Sequence, residues 1–276
     1  MKKTVYTALA CLGLLTSAAQ AQSVRQCATV DNLNAQLAAD PGLAARRAAI
    51  EAQAQAYEKG NTAQRTEAVI TIPVVVHVLY NTSAQNISDA QIQSQLDVLN
   101  QDYSKTNADY TKTPSAFAGL VANVGIQFVL AKQTPTGAAT TGIERKQTTK
   151  TSWGTDDQMK KASTGGLDAW NSSKYLNLWV CNLSGGVLGY AQFPGGPAAT
   201  DGVVILTTAF GKGGSAVAPF NLGRTGTHEV GHWLNLNHIW GDDGTSCSGT
   251  DNVADTPNQA DENYGTPSYP NPSCSN

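Results

Sequence analysis

The sequence predicts a mixed fold, α/β or α+β, built around a twisted sheet. Residues 69–80 form a β-branched run that is typical of a buried strand. Residues 89–103 then place apolar side chains at helical spacing, and Ser88 before them is a typical N-cap residue. Shorter strand-like runs recur further along the chain, at 126–130, 176–181, 187–193 and 202–207. A further helix is indicated near 157–162.

The composition indicates a folded protein and argues against a nucleic-acid partner. The chain has 276 residues, of which 41% are hydrophobic and 14% charged, enough to bury a core in one large domain or two small ones. Lysine and arginine total 18 against 21 acidic residues, and the net charge is -3. Nothing in this balance supplies the basic surface that binding to nucleic acid requires.

The first 21 residues have the layout of a secretory signal peptide. Lys2 and Lys3 precede an apolar run, and Ala19-Gln20-Ala21 is a small-x-small cleavage site. The apolar run is shorter than the roughly 20 residues of a membrane-spanning helix, and no later segment is long and apolar enough to span a membrane. We therefore expect a secreted protein.

The rest of the chain divides into two parts. Residues 22–65 are rich in Ala and Gln, with apolar residues at helical spacing followed by a polar stretch. The strand-rich composition begins after them. We expect a separable N-terminal segment over 22–65 and a globular domain over 66–276.

Four cysteines remain after removal of the signal peptide, which allows three disulfide pairings in an oxidising compartment. Cys181 lies in a run that predicts a buried strand, where a free thiol acts as a small hydrophobe. Cys247 and Cys274 flank a stretch rich in Pro, Gly, Asn and Asp, where a cross-link would restrict the unfolded chain. We favour a disulfide between Cys247 and Cys274.

Three of the four histidines lie within residues 228–238, in the pattern H-E-x-x-H with a further His six residues on. On a helix His228 and His232 leave the same face one turn apart and can converge on one Zn²⁺. Glu229 is displaced around the helix, where it can take a proton from a zinc-activated water and pass it to the leaving amine. The alternative, that these histidines only cap and pack a helix, does not explain the spacing.

His238 can reach the same ion only if the chain turns near Asn235. A left-handed residue at that point is usually Gly, and Asn is the next most tolerant, at a cost of about 1 kcal/mol. The third histidine therefore predicts the end of the helix.

These residues resemble the metzincin zinc peptidases and, within them, the pappalysin family. The resemblance covers roughly residues 70–276 and includes segments 188–196, 201–205, 223–227 and 254–259. It implies a metzincin-type zincin fold of the α+β class, with an α/β-like upper subdomain, a twisted five-stranded sheet and a long zinc-binding helix. It also implies that Glu229 is the general base and that three residues bind zinc: His228, His232 and His238.

The resemblance assigns roles to two further segments. The edge strand that holds an extended peptide substrate would contain Leu188, Gly189, Tyr190 and Ala191. Residues 22–65 would be a propeptide in which Cys27 occupies the open zinc position, with Gln64–Arg65 as the activation point. The alternatives for Cys27 are a disulfide with Cys181 and a free thiol.

Two further expectations concern the part after the zinc motif. Family members bind Ca²⁺ in a loop here, and the oxygen donors would come from Asp251, Val253 and Thr256; a solvated acidic loop is the alternative. Metzincins also carry a Met in a turn beneath the zinc site. Met1 and Met159 cannot supply it, so either the turn is replaced or the sequence stops before it. We expect the second, with the domain over 66–276 incomplete at its C-terminus.

Together these features predict a secreted zinc metalloendopeptidase, made as a zymogen, that hydrolyses protein and peptide substrates. An exported metal-binding or adhesion domain without turnover is the alternative. Substrate specificity and oligomeric state do not follow from the sequence.

Overall fold

The computed structural model of the protein describes residues 26–60, 69–265 and 267–275. Within these ranges the helices are α1 (Thr29–Ala39), α2 (Leu43–Gly60), α3 (Asp89–Tyr103) and α4 (Arg224–Trp233). The strands are β1 (Gln26–Cys27), β2 (Ile70–Tyr80), β3 (Ile126–Leu130), β4 (Ile143–Gln147), β5 (Leu176–Cys181), β6 (Val187–Ala191) and β7 (Val203–Leu206). The signal peptide expected at 1–21 and the activation point expected at Gln64–Arg65 lie outside the described residues.

Strand β2 pairs with three other strands, β3, β4 and β5, and its β-branched side chains are buried on both faces of the sheet. Val74, Val76 and Val78 join one apolar cluster, which includes residues of α3 and α4. Leu79 points to the opposite face and packs in a second cluster with Trp179. This alternation follows the two-residue period of a strand and gives the sheet a core on each side.

The strands lie in the order β1-β6-β7-β5-β2-β3, and β4 also pairs with β2. All pairs are parallel except the antiparallel pair of β6 and β7. The mixed, mostly parallel sheet confirms the expected fold class. The described residues form seven strands rather than the expected five, because β1 and β4 also pair with the sheet.

Strand β4 was missed because its sequence is mostly polar. Glu144 lies on it, and the carboxylate is 2.8 Å from Nδ1 of His77 on β2. His77 is fully buried, and its Nε2 lies 3.1 Å from Oδ1 of Asn177. It is the packed core histidine that its β-branched surroundings predict.

The helices form where the periodicity predicts them, with one exception. Helix α3 spans the predicted residues, and its N-cap Ser88 accepts a hydrogen bond from the backbone N–H of Gln91. The further helix indicated near 157–162 is instead two short 3₁₀ turns, Gln158–Lys160 and Ala162–Thr164. Lys161 between the two turns is extended, with φ -132° and ψ 122°, which interrupts a continuous α-helix there.

The N-terminal helices lie against the sheet edge formed by β6. Helix α1 buries Thr29 and Asn32 against this part of the molecule. On α2, Arg46 donates a hydrogen bond to the carbonyl of Gly195 at 2.8 Å, and Arg47 stacks on the ring of Phe193 at 4.2 Å. The N-terminal segment therefore covers the edge of the sheet.

The predicted cysteine pair Cys247 and Cys274 forms a disulfide in the structure. Cys27 and Cys181 are both free, so they do not form the alternative disulfide. Cys181 is fully buried in β5 beside Trp179, as its apolar surroundings predict. Among the described residues no helix is long and apolar enough to cross a membrane.

We expect Leu96→Ala to lower the free energy of unfolding by about 2–5 kcal/mol, because Leu96 is buried in the cluster between α3 and the sheet. The matched control is Leu222→Ala, since Leu222 is 60% exposed and a surface change shifts stability by about 0.5 kcal/mol or less. Urea unfolding of both variants measures the difference. Equal losses would contradict this assignment of the core.

Candidate metal centre

Helix α4 carries the first two histidines of the cluster, and a left-handed turn returns the third. The helix ends at Trp233, and Asn235 has a φ of 75°. The backbone N–H of Leu236 donates to the carbonyl of Gly231 at 2.9 Å, which closes the turn. The predicted break at Asn235 is therefore present, and it places His238 beside His228 and His232.

The three imidazoles converge on one point through their Nε2 atoms. His232 Nε2 lies 3.1 Å from that of His228 and 3.0 Å from that of His238, and the remaining pair is 3.3 Å apart. A tetrahedral zinc ion with Zn–N bonds of 2.0–2.1 Å holds two such nitrogens about 3.3 Å apart. The arrangement fits a zinc ion.

The protonation of the imidazoles also suits a metal. Nδ1 of His232 lies 2.7 Å from the carbonyl oxygen of Leu236, which can only accept, so this nitrogen carries the proton. Nε2 then has a free lone pair. Burial, and after it the neighbouring His238, lowers the pKa of His232 to about 4, which keeps the ring neutral at neutral pH.

Asp242 supports the third histidine. Its carboxylate oxygens lie 2.8 and 3.1 Å from Nδ1 of His238, and the ring of Trp240 stacks on the same imidazole at 4.2 Å. A carboxylate on the second nitrogen of a ligating histidine fixes its tautomer and makes it a stronger donor. This role does not follow from the sequence, because nothing in the spacing of Asp242 distinguishes it from the other acidic residues of the loop.

Glu229 lies beside the histidines and against strand β6, with only 1% of its surface exposed. A Cβ at Gly189 would lie 2.9 Å from Cγ of Glu229 and 2.9 Å from the carbonyl oxygen of Val204. Only Gly therefore lets the Glu229 side chain pass so close to the strand. Its Oε2 accepts a hydrogen bond from the hydroxyl of Thr29 at 3.0 Å.

Cys27 is the fourth member of the cluster. Its Sγ and one ring nitrogen from each histidine all lie within 4.8 Å of one another. Among the described residues, this is the one group of three or more His, Cys, Asp and Glu side chains arranged to hold a metal ion. Burial first, and then the carboxylate of Glu229, raises the pKa of the Cys27 thiol; a bound cation acts in the opposite direction.

The predicted substrate strand is the edge on which Cys27 lies. Strand β1 pairs with β6 in parallel, with Gln26 opposite Val187 and Cys27 opposite Gly189. The backbone N–H of Ala28 continues the ladder by donating to the carbonyl of Gly189 at 3.1 Å. In this chain the edge is therefore paired with the N-terminal segment; the predicted strand residues, all buried here, are Leu188, Gly189, Tyr190 and Ala191.

The residues expected to bind calcium form a turn instead of an open group of oxygens. Oδ1 of Asp251 accepts a hydrogen bond from the backbone N–H of Val253 at 3.0 Å. The carbonyl oxygen of Val253 accepts one from the backbone N–H of Thr256 at 3.3 Å. Calcium binding stays a prediction, without support from the described residues.

The fold and the site together have the arrangement typical of zinc peptidases. A His-Glu-x-x-His helix lies beside β6, which pairs antiparallel with β7 in a mostly parallel sheet, and a turn returns the third histidine. The chain belongs to the pappalysin family, and the profile described as pregnancy-associated plasma protein-A matches residues 157–272.

The comparisons with known proteins agree with this family. Mature mirolysin of Tannerella forsythia, solved with a cleaved peptide, is 57% identical, with a TM-score of 0.73 over 74% of this chain and 77% of that one. A promirolysin mutant of the same organism is 50% identical, with a TM-score of 0.81 over 90% of this chain and 80% of that one.

Curated relatives are named extracellular metalloproteases. That of Arthroderma benhamiae is 34% identical over 72% of this chain, and that of Pyricularia oryzae 37% identical over 78%. The chain spans 63% and 66% of the lengths of these two relatives.

We expect Asp242→Asn to weaken zinc binding by about 10- to 100-fold, because the amide removes the negative charge that makes His238 a strong donor. Asp243→Asn is the matched control, since the carboxylate of Asp243 contacts Ser248 at 2.8 Å instead of a histidine. Competition with a chromophoric chelator measures both affinities. Equal affinities of the two variants would contradict the role of Asp242.

Proposed function

We propose that this protein is a secreted zinc-dependent metalloendopeptidase made as a zymogen. One observation carries the proposal: the Nε2 atoms of three histidines meet at a single point beside the buried carboxylate of Glu229 and the edge strand β6. The signal-like layout of residues 1–21 and the extracellular names of the relatives support secretion.

In this proposal His228, His232 and His238 hold the zinc ion. A zinc ion there supplies Lewis-acid activation of water and of the scissile carbonyl. Two of these ligands are oriented by contacts to their Nδ1 atoms: the carbonyl of Leu236 contacts His232, and the carboxylate of Asp242 contacts His238.

Glu229 moves the proton in the proposed reaction. Its carboxylate takes a proton from the attacking water and delivers it to the nitrogen of the leaving amine. The close approach at Gly189 keeps the carboxylate against β6, the strand on which an extended peptide would lie. The substrate would then pair with backbone groups of β6, and the scissile bond would lie next to Glu229.

The zymogen part of the proposal rests on the N-terminal segment. Strand β1 pairs with β6, the strand on which a substrate would lie. Cys27 Sγ lies within 4.8 Å of a ring nitrogen of each histidine, which supports a role as the fourth ligand of a tetrahedral zinc ion. A substrate can pair with β6 only while this segment is undocked from it. Cleavage at Gln64–Arg65, outside the described residues, would release it, and the similarity to both mature mirolysin and promirolysin supports such a step.

We expect Glu229→Gln to lower peptide hydrolysis by on the order of 10²- to 10⁴-fold after limited tryptic removal of the N-terminal segment. Zinc content should stay the same, because Glu229 is not among the proposed ligands. Asp97→Asn, the same chemical change on the exposed side of α3, should retain full activity.

Mass spectrometry of peptide-library cleavage, with zinc analysis in parallel, makes the measurement. Activity that survives both Glu229→Gln and a chelator would contradict the mechanism. Zinc-loaded protein that cleaves no peptide would favour a metal-binding domain without turnover.

We expect Cys27→Ala to raise the activity of the uncut chain at least tenfold, since the variant loses the sulfur that would displace water from the metal. Cys181→Ala is the matched control, because Cys181 is the other free cysteine and is buried on the far side of β5. Initial rates on a quenched-fluorescent peptide compare the two variants. An uncut Cys27→Ala chain no faster than the parent, with an active cut form, would contradict the role of Cys27.

A further inference from the structure

Besides Cys27, the N-terminal segment contacts the proposed catalytic centre through a second residue, Thr29. It is the first residue of α1, and it is fully buried although most of α1 is not. Its hydroxyl lies 3.0 Å from Oε2 of Glu229 and 2.9 Å from the backbone nitrogen of Ala191. The N-terminal segment therefore contacts both the metal cluster and the proposed general base.

The direction of these two hydrogen bonds follows from their donors. The N–H of Ala191 can only donate, so the oxygen of Thr29 accepts from it. The single hydroxyl proton of Thr29 is then directed to the carboxylate of Glu229, which accepts. A hydrogen bond to an ionised carboxylate is among the stronger side-chain contacts in proteins.

The register of the N-terminal segment explains why Thr29 reaches this position. Cys27 lies opposite Gly189 on β6, so Thr29, two residues on, comes beside Ala191 as the chain turns into α1. One turn later Asn32 donates to Oδ2 of Asp157 at 3.3 Å and to the carbonyl of Thr155 at 3.2 Å. The start of α1 is thus held on the body of the protein by polar contacts.

We propose that Thr29 is a second residue, besides Cys27, that keeps the zymogen inactive. Its hydroxyl holds the carboxylate of Glu229 while Cys27 occupies the metal position. The inference rests on the proposed peptidase function and concerns the regulation of the same site. The carboxylate oxygen that must accept a proton from water is occupied by the hydroxyl of Thr29. The same Oε2 also accepts a weaker contact from the Cys27 thiol at 3.7 Å. Cys27→Ala removes that contact, so in that variant the effect of the Thr29 hydroxyl is measured by itself.

The contributions of Cys27 and Thr29 have different chemical requirements. Removing the sulfur of Cys27 leaves the Thr29 hydroxyl on Glu229, so a chain without the thiol stays partly latent. Removing the hydroxyl takes a donor from Glu229 and an acceptor from the N–H of Ala191, and both groups lie in a buried place where water does not easily replace them. The methyl group of Thr29 has no part in either contact.

The test uses the full chain with Cys27→Ala as the parent and compares Thr29→Val with Thr29→Ser. Val keeps the shape and loses the hydroxyl, whereas Ser keeps the hydroxyl. We expect the initial rate of peptide hydrolysis by the uncut chain to rise on the order of tenfold to a hundredfold with Val and to change by about twofold or less with Ser. Mass spectrometry verifies that each chain is uncut during the assay.

The same chains are then assayed after tryptic removal of the N-terminal segment. All three should reach the same rate, because Thr29 has left with the segment. An uncut Val variant that is as slow as the parent, but equally active once cut, would overturn the proposal. Chains that remain inactive after removal would instead contradict the proposed peptidase function.

A second measurement tests the proposal without an assay of peptide hydrolysis. Amide hydrogen exchange over residues 26–39 reports how firmly the segment is docked, and a chelator prevents cleavage during the experiment. We expect Thr29→Val to lower the protection of this segment on the order of tenfold or more, with little change for Thr29→Ser. Unchanged protection in the Val variant would overturn the proposed role of Thr29 even if no chain hydrolyses peptide.

Discussion

The site depends on one backbone constraint, the reversal of the chain at Asn235. A helix continued from His232 would carry His238 about 9 Å further along its axis, at 1.5 Å per residue. The left-handed residue prevents this, at a cost of about 1 kcal/mol for Asn. The same turn brings the carbonyl of Leu236 to Nδ1 of His232. One turn therefore supplies the third imidazole and orients the second.

The edge strand β6 connects the sheet topology to the proposed regulation. Among the described strands, β6 and β7 form the only antiparallel pair. The other side of β6 carries backbone groups that pair with an extended chain, here β1. A peptidase needs such an edge for its substrate, but an unpaired edge also invites association with other chains. In this protein the N-terminal segment pairs with β6, so in the proposed function the same pairing that protects the strand would also exclude a substrate.

Negative charge is placed around the histidines and not among them. Burial keeps the imidazole of His232 neutral, the carboxylate of Asp242 contacts Nδ1 of His238, and that of Glu229 accepts from Thr29. This distribution suits a divalent cation, because the ligands keep free lone pairs while the surrounding charges compensate the ion. The buried carboxylate of Glu229 is in turn held by Thr29 and by the close approach at Gly189. Glu229 and the histidine cluster are therefore packed together.

The sequence by itself determined the features that depend on neighbouring residues. The spacing of His228 and His232 follows from the helical repeat, the need for a turn at Asn235 follows from His238, and the β-branched run predicts β2. The tertiary structure decided the contacts that join distant segments. Thr29 and Glu229, which share a hydrogen bond, are 200 positions apart. The mostly polar β4 forms a strand by pairing with β2, which lies far from it in the sequence. Periodicity describes how one element repeats along its own axis, and it carries no information about which side chains meet when separate elements pack.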